Sequence, residues 1–126
     1  MKTLRIGIAS YEEMKARTIA IARGQYKPAA GEPKVWFTSA ESFARVLSDR
    51  NRALLGIIAT SGPESLTRLA ELTGRKKSNL SRTLKTMERY GFVQLSHGER
   101  GSIVPKVPYQ KISLTLPLLG PGLEAA

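Results

Sequence analysis

Apolar residues recur along this chain with two different periods, and the changes of period mark its elements. Leu4, Ile6 and Ile8 alternate with Arg5 and Gly7, the period of two that belongs to a half-buried strand. Tyr11 to Arg23 predicts a helix, with Ser10 as its cap and Glu12 and Glu13 in the first turn, where the helix dipole favours acid. Two glycines and two prolines between Gly24 and Pro33 mark a loop open enough to order on a partner. Lys34 to Phe37 is a short extended piece. Its Trp36 and Phe37 lie beside a capped helix and read as core rather than as a base-stacking platform. Thr38 and Glu41 have the spacing of a capping box and open a short helix bearing Phe43, Val46 and Leu47. Ser48 caps a further helix from Asp49, whose Leu54, Leu55, Ile57 and Ile58 should pack beneath the next two helices.

Between Ser65 and Pro105 the pattern is more specific. Ser61-Gly62-Pro63 breaks the preceding helix, because glycine is flexible and proline lacks an amide hydrogen. Ser65 then caps a helix with Leu66, Leu69, Ala70 and Leu72 as its apolar stripe, ended by Thr73-Gly74. The next helix, residues 77–90, places Leu80, Leu84 and Met87 at i, i+4 and i+7, so one face is buried. Its opposite face carries Lys77, Ser78, Ser81, Arg82, Lys85 and Arg89. Gly91 closes it, Phe92 to Leu95 starts a strand, His97 to Gly101 turns, and Ser102 to Val104 returns. Two helices joined by a short glycine-containing turn form a helix-turn-helix, and a hairpin over 93–104 is its wing.

The run LAELTGRKKSNLSRTLKTMERYGFV resembles the MarR-like branch of winged-helix transcriptional regulators. With the opening LRIGIAS, the helix YEEMKARTIAIARG and the closing VPYQKISLTL, the whole chain is similar to small DNA-binding regulators of bacteria and archaea. Some of those are encoded as antitoxins beside a toxin gene. The resemblance implies an α+β, mainly helical fold: a winged helix-turn-helix with an N-terminal strand–helix extension and a C-terminal strand. It divides the chain into a dimerisation element at 1–38, a DNA-binding domain at 39–107 and a strand with a loose tail at 108–126. The chain departs from the pattern once, where Lys76 stands at a position that often holds Ser or Asp, which weakens the cap of the recognition helix.

Charge agrees with that division. The net charge is +10, and residues 65–106 hold nine basic and three acidic groups in a third of the chain. Residues 39–64 and the segment from 107 onward are each balanced. A local basic excess is what phosphate binding requires, and the competing reading is a solvated face. Within the recognition helix, Arg82 can grip guanine through two acceptors and Asn79 can pair with adenine; Asn79 can equally be a helix-start residue that only bonds backbone. Ser78 and Ser81 share those first turns. Arg75, Lys76, Lys77 and Lys85 read as phosphate clamps, with Thr67 and Arg68 touching the backbone from the preceding helix. His97 and Arg100 at the wing tip would meet the minor groove or its phosphates, although His97 reads first as an exposed turn residue.

Other chemistry finds little support. With no cysteine and one histidine, neither a metal site nor a catalytic triad can be assembled, and no glycine fingerprint for a nucleotide is present. Neither a cofactor nor catalysis is expected. No run of about 18 apolar residues and no secretory apolar block at the start point to a cytoplasmic protein without a membrane span. The expected function is sequence-specific binding of double-stranded DNA by a homodimeric regulator that represses its own operon. The alternatives are an antitoxin that also holds a toxin protein, and a basic RNA- or chromatin-associated protein without sequence preference. Finally, Ile112, Leu114 and Leu116 alternate with Lys111, Ser113 and Thr115, a second half-buried strand. It should pair with Leu4–Ile8, within a subunit or across a dimer, under cover of the first helix, because a lone strand leaves backbone groups unsatisfied.

Overall fold

The computed structural model describes residues 2–119 as an α+β fold in two compact units. Among the described residues, one unit comprises 45–110 with Lys2 and the other comprises 3–44 and 111–119. The expected boundaries are 38 and 107. The N-terminal and C-terminal segments form a single unit, and the helix Ala40–Val46 straddles the division.

The sheet unit holds three parallel strands: β1 (Thr3–Ile8) lies between β2 (Val35–Phe37) and β3 (Lys111–Thr115). Leu4 pairs with Ile112 and Ile6 with Leu114, so the strand pairing expected from alternation forms within one chain. Lys2 continues it, its amide donating to Gln110 Oε1 at 2.8 Å while the Gln110 amide donates to Lys2 O at 3.1 Å. Leu4, Ile6, Ile8 and Phe37 are buried. The expected burial of the third strand fails: Leu114 is 43% and Leu116 54% exposed. The first helix, α1 (Tyr11–Ala22), does not close over that strand, and none of its own residues is fully buried.

Capping explains where the helices start. Ser10 accepts from the Glu13 amide at 3.1 Å while the Ser10 amide donates to Glu13 Oε1 at 2.9 Å, and this bond holds the Glu13 carboxyl below its usual range. The box expected at Thr38 and Glu41 forms one residue later. Ser39 and Ser42 exchange the two bonds, at 3.0 and 3.2 Å, and α2 (Ala40–Val46) follows. Serine can act at both positions because its hydroxyl oxygen accepts from a backbone amide at each. Phe43 meets Phe37 edge-to-face, with ring centroids 5.4 Å apart.

The loop expected to be free to order on a partner is anchored internally instead. Arg17 pairs with Glu32 at 2.8 Å, and Glu32 also accepts from the Tyr26 hydroxyl. The Arg17 guanidinium lies 5.3 Å from the Trp36 ring centroid and 5.8 Å from that of Tyr26, cation–π distances. Arg5 donates to Gly31 O at 2.8 Å. Arg17, Tyr26, Gly31, Glu32 and Trp36 line a cleft of about 290 Å³.

The second unit begins within α2 and contains α3 (Asp49–Ser61), α4 (Leu66–Thr73), α5 (Lys77–Arg89) and an antiparallel hairpin of β4 (Gln94–His97) and β5 (Ile103–Lys106). This is the element order of a winged helix-turn-helix. Its core is Leu54, Leu55 and Ile58 from α3, Leu66 and Leu69 from α4, and Leu80, Leu84 and Met87 from α5, with Phe92 and Val93 beyond. Phe92 and Val93 precede the strand rather than start it, sealing the turn after α5. Leu72, expected in the α4 stripe, is 39% exposed; at about 100° per residue it lies some 120° from Leu66. Within the expected loose tail, residues 117–119 are irregular, and the rest lies outside the described residues.

Gly7 is the position where the sheet unit tolerates least. A Cβ there would lie 2.5 Å from Cζ3 of Trp36, on the ring that Arg17 also covers. We expect Gly7→Ala to destabilise the protein by about 1–3 kcal/mol in urea unfolding. Gly56→Ala, in α3, where a Cβ meets nothing within 4 Å, should be neutral or stabilising by up to about 1 kcal/mol.

Candidate nucleic-acid interface

The turn between α4 and α5 is built by local bonds. Ser65 Oγ accepts from the Arg68 amide at 3.1 Å and starts α4. Gly74 ends it at φ 71, a left-handed conformation that a Cβ disfavours. Thr73 Oγ1 donates to Leu69 O at 2.8 Å and accepts from the Arg75 amide at 3.2 Å. Helix α5 then starts after Lys76, which supplies no side-chain cap. Its start is stabilised from the side by Arg75. Arg75 Nε and Nη2 both donate to Asn79 Oδ1, at 3.0 and 2.7 Å, and Nη2 also reaches Thr83 Oγ1 at 3.4 Å.

Two of the expected contact residues are bonded to each other. Arg75, expected as a phosphate clamp, is half-buried and held along α5 by Asn79 and Thr83. Desolvation, then the nearby Arg50 cation, holds its guanidinium below the ordinary value, and its Nη1 is buried without a hydrogen-bond partner. Asn79 Oδ1 has both acceptor sites taken, so pairing with adenine through both amide atoms requires Arg75 to let go. Asn79 is not bonding backbone either; its partner is a side chain.

The remaining helix positions sort by rotation. Leu80, Leu84 and Met87 are fully buried. At about 100° per residue, Ser78, Arg82, Lys85 and Arg89 lie within roughly 40° of the opposite side, and all are exposed. Arg89 is not among the expected contacts; its place four residues after Lys85, on the same line, is the signal that finds it. Lys76 and Lys77 are exposed at the N-terminal end, and Ser81 is half-buried on the flank. On α4, Thr67 and Arg68 are exposed, with Arg68 paired to Glu71 at 3.0 Å. Such an exposed pair is weak and exchangeable. Among the described residues, Lys76, Lys77, Arg82, Lys85, Arg89 and Arg100 form no ion pair.

The wing is held to the helix by Glu88, which accepts from the Leu95 amide at 3.3 Å. Gln94 pairs with Lys106 and His97 with Ile103. His97 is exposed at the end of β4, and Arg100 is exposed in the 3-10 turn Glu99–Gly101 at φ 57, ψ 32. The wing therefore places one cation at its tip in a conformation that glycine would take more easily.

The chain belongs to the HVO_A0114 family. The family's model matches residues 46–114, more than half of the 126 residues. The match starts one residue into the winged-helix unit, contains every residue assigned to the candidate interface, and runs on into the strand β3 of the sheet unit. Comparisons with curated proteins and with solved structures found no match.

Two expectations arise from this geometry. In a thermodynamic cycle of Arg75→Ala and Asn79→Ala, chemical unfolding should show a coupling of about 0.5–1.5 kcal/mol; zero coupling would mean the two side chains are independent. Arg100→Gly should leave thermal stability unchanged or raise it by up to about 1 kcal/mol, since it removes a left-handed non-glycine residue.

Proposed function

We propose that the winged-helix unit binds double-stranded DNA and acts as a sequence-specific regulator, laying α5 in the major groove with the wing against adjacent DNA. The observation that carries this reading is the rotation of α5. Its buried side is fully enclosed, and its opposite side is a line of exposed cations without ion-pair partners among the described residues. A helix that was only a solvated surface would gain from acidic partners at i, i+3 and i, i+4. Ser78, Arg82, Lys85 and Arg89 include no acid, and Glu88, three residues after Lys85, accepts from the Leu95 amide and forms no ion pair among the described residues.

Roles follow from position. Arg82 and Ser78 face base edges, where a bidentate arginine selects guanine. Lys76, Lys77, Lys85 and Arg89 meet phosphates. Arg68 exchanges Glu71 for a phosphate oxygen, and Arg100 approaches the backbone beside the wing. No step of this reading is catalytic, and it needs no cofactor. The MarR-like resemblance and the basic excess of residues 65–106 support the same reading, with autorepression as its regulatory outcome. The antitoxin alternative adds a protein partner and draws on the resemblance alone.

The test is a titration against the gene's own upstream DNA beside random duplex of equal length, at two salt concentrations. We expect preference for the upstream fragment by about a thousandfold. Arg82→Ala should cost about 1–3 kcal/mol there and relax one base preference, whereas Lys85→Ala should weaken all sequences alike and lower the salt slope by about 1. Equal, steeply salt-dependent binding to both duplexes would make this a basic coat without sequence preference, and no binding to either would overturn the reading.

A further inference from the structure

The sheet unit has one edge that nothing in the described chain covers. Strand order β2–β1–β3 leaves β3 with β1 on one side and, among the described residues, no strand on the other. A free edge presents a row of backbone donors and acceptors, and proteins usually blunt such edges with charge, proline, bulges or very short strands. The opposite edge is blunted in this way: β2 has three residues and follows Pro33-Lys34. The β3 edge is not. Lys111–Thr115 is five residues long, holds no proline, and carries its one charge at the first position.

Its side chains repeat the message. Leu114, Leu116, Leu118 and Leu119 are 43%, 54%, 96% and 55% exposed. Leu114 shares its register, and so its sheet face, with buried Ile6, and Ile112 shares it with buried Leu4. The apolar face of the sheet thus continues onto β3 and loses its cover there.

We propose that this edge docks a second copy of the same chain, the two β3 strands pairing antiparallel about Ser113. The occupant follows from the pattern of KISLT itself. Turned antiparallel on its own copy about Ser113, the strand sets Ile112 opposite the partner's Leu114 and Lys111 opposite the partner's Thr115. Apolar residues then meet apolar ones, and the strand's cation meets a hydroxyl instead of its twin. Like charges directly opposite would oppose pairing, which matters for a chain of net charge +10. The same patch on both copies gives a closed twofold interface and joins two three-stranded sheets into one of six. This inference does not depend on DNA binding; if both hold, each dimer carries two recognition helices.

The experiment is sedimentation of the full chain without DNA at about 10 μM, a range in which micromolar association is visible. The wild type should sediment at twice its 13.8 kDa. The variant Leu114→Lys with Leu116→Lys changes only exposed positions and should sediment as a monomer with an unchanged circular dichroism spectrum. Thr115→Lys places two lysines opposite each other in the proposed register and should also dissociate the dimer. Adding Lys111→Glu to that variant sets Glu opposite Lys and should restore it. A wild type that sediments only at 13.8 kDa, or a dimer that survives the leucine changes, overturns the proposal. Failure of Lys111→Glu to rescue Thr115→Lys overturns the register about Ser113.

Discussion

The burial of Leu80, Leu84 and Met87 is the constraint on which the winged-helix unit depends. These three side chains fix the rotation of α5 about its own axis, and a helix has no other means of deciding which residues it presents. Shifting all three together by a single position would turn the helix by about 100° and carry Arg82 from the centre of the exposed line to its flank. The apolar packing and the cationic line are therefore one specification seen from two sides. Met87 adds tolerance, because its unbranched side chain fills an irregular gap where the helix meets Phe92 and Val93.

Arg75 shows how a missing cap is replaced. Lys76 cannot accept from the first amides of α5, and the guanidinium instead ties Asn79 and Thr83, four residues apart on one flank. The arrangement keeps a cation close to the N-terminal end of a helix, where the dipole is unfavourable to it. The buried Nη1 adds a further cost. Both features mark the turn as a place where stability has been given up locally.

Much of this architecture was legible in the sequence because it rests on short-range physics. The helices from Asp49 to Arg89 follow from serine caps, glycine stops and a 3.6-residue period, each of which acts within a few positions. The β1–β3 pairing was legible too, since two alternating strands at opposite ends had few other partners. What the sequence hid was of another kind. The Ser39–Ser42 box and the Thr38–Glu41 box differ by one residue and obey the same rule, so only packing decides between them. The Arg17–Glu32–Tyr26–Trp36 cluster joins α1 to a loop through side chains with no periodic signature. The exposure of Leu114 and Leu116 depends on the absence of a covering element, which an alternating pattern cannot announce. On α5, the period alone puts Arg82 and Lys85 on the exposed side, while the bonding of Arg75 to Asn79 and Thr83 is a conformational choice that composition does not encode.

The pairing of Thr3 with Lys111 has a consequence for how this chain comes into being. The strand β1 is synthesised before residues 45–110, yet its neighbour β3 emerges only after them. Chains fold from the N-terminus as they are made, so β1 waits with Leu4 and Ile6 unpaired on that side while residues 45–110 assemble through contacts of much shorter range. Closing a loop of that length costs entropy that an already compact insert reduces, because it brings the two ends nearer. The contacts of the helical unit can thus be complete before those of the sheet, although the sheet unit begins first along the chain.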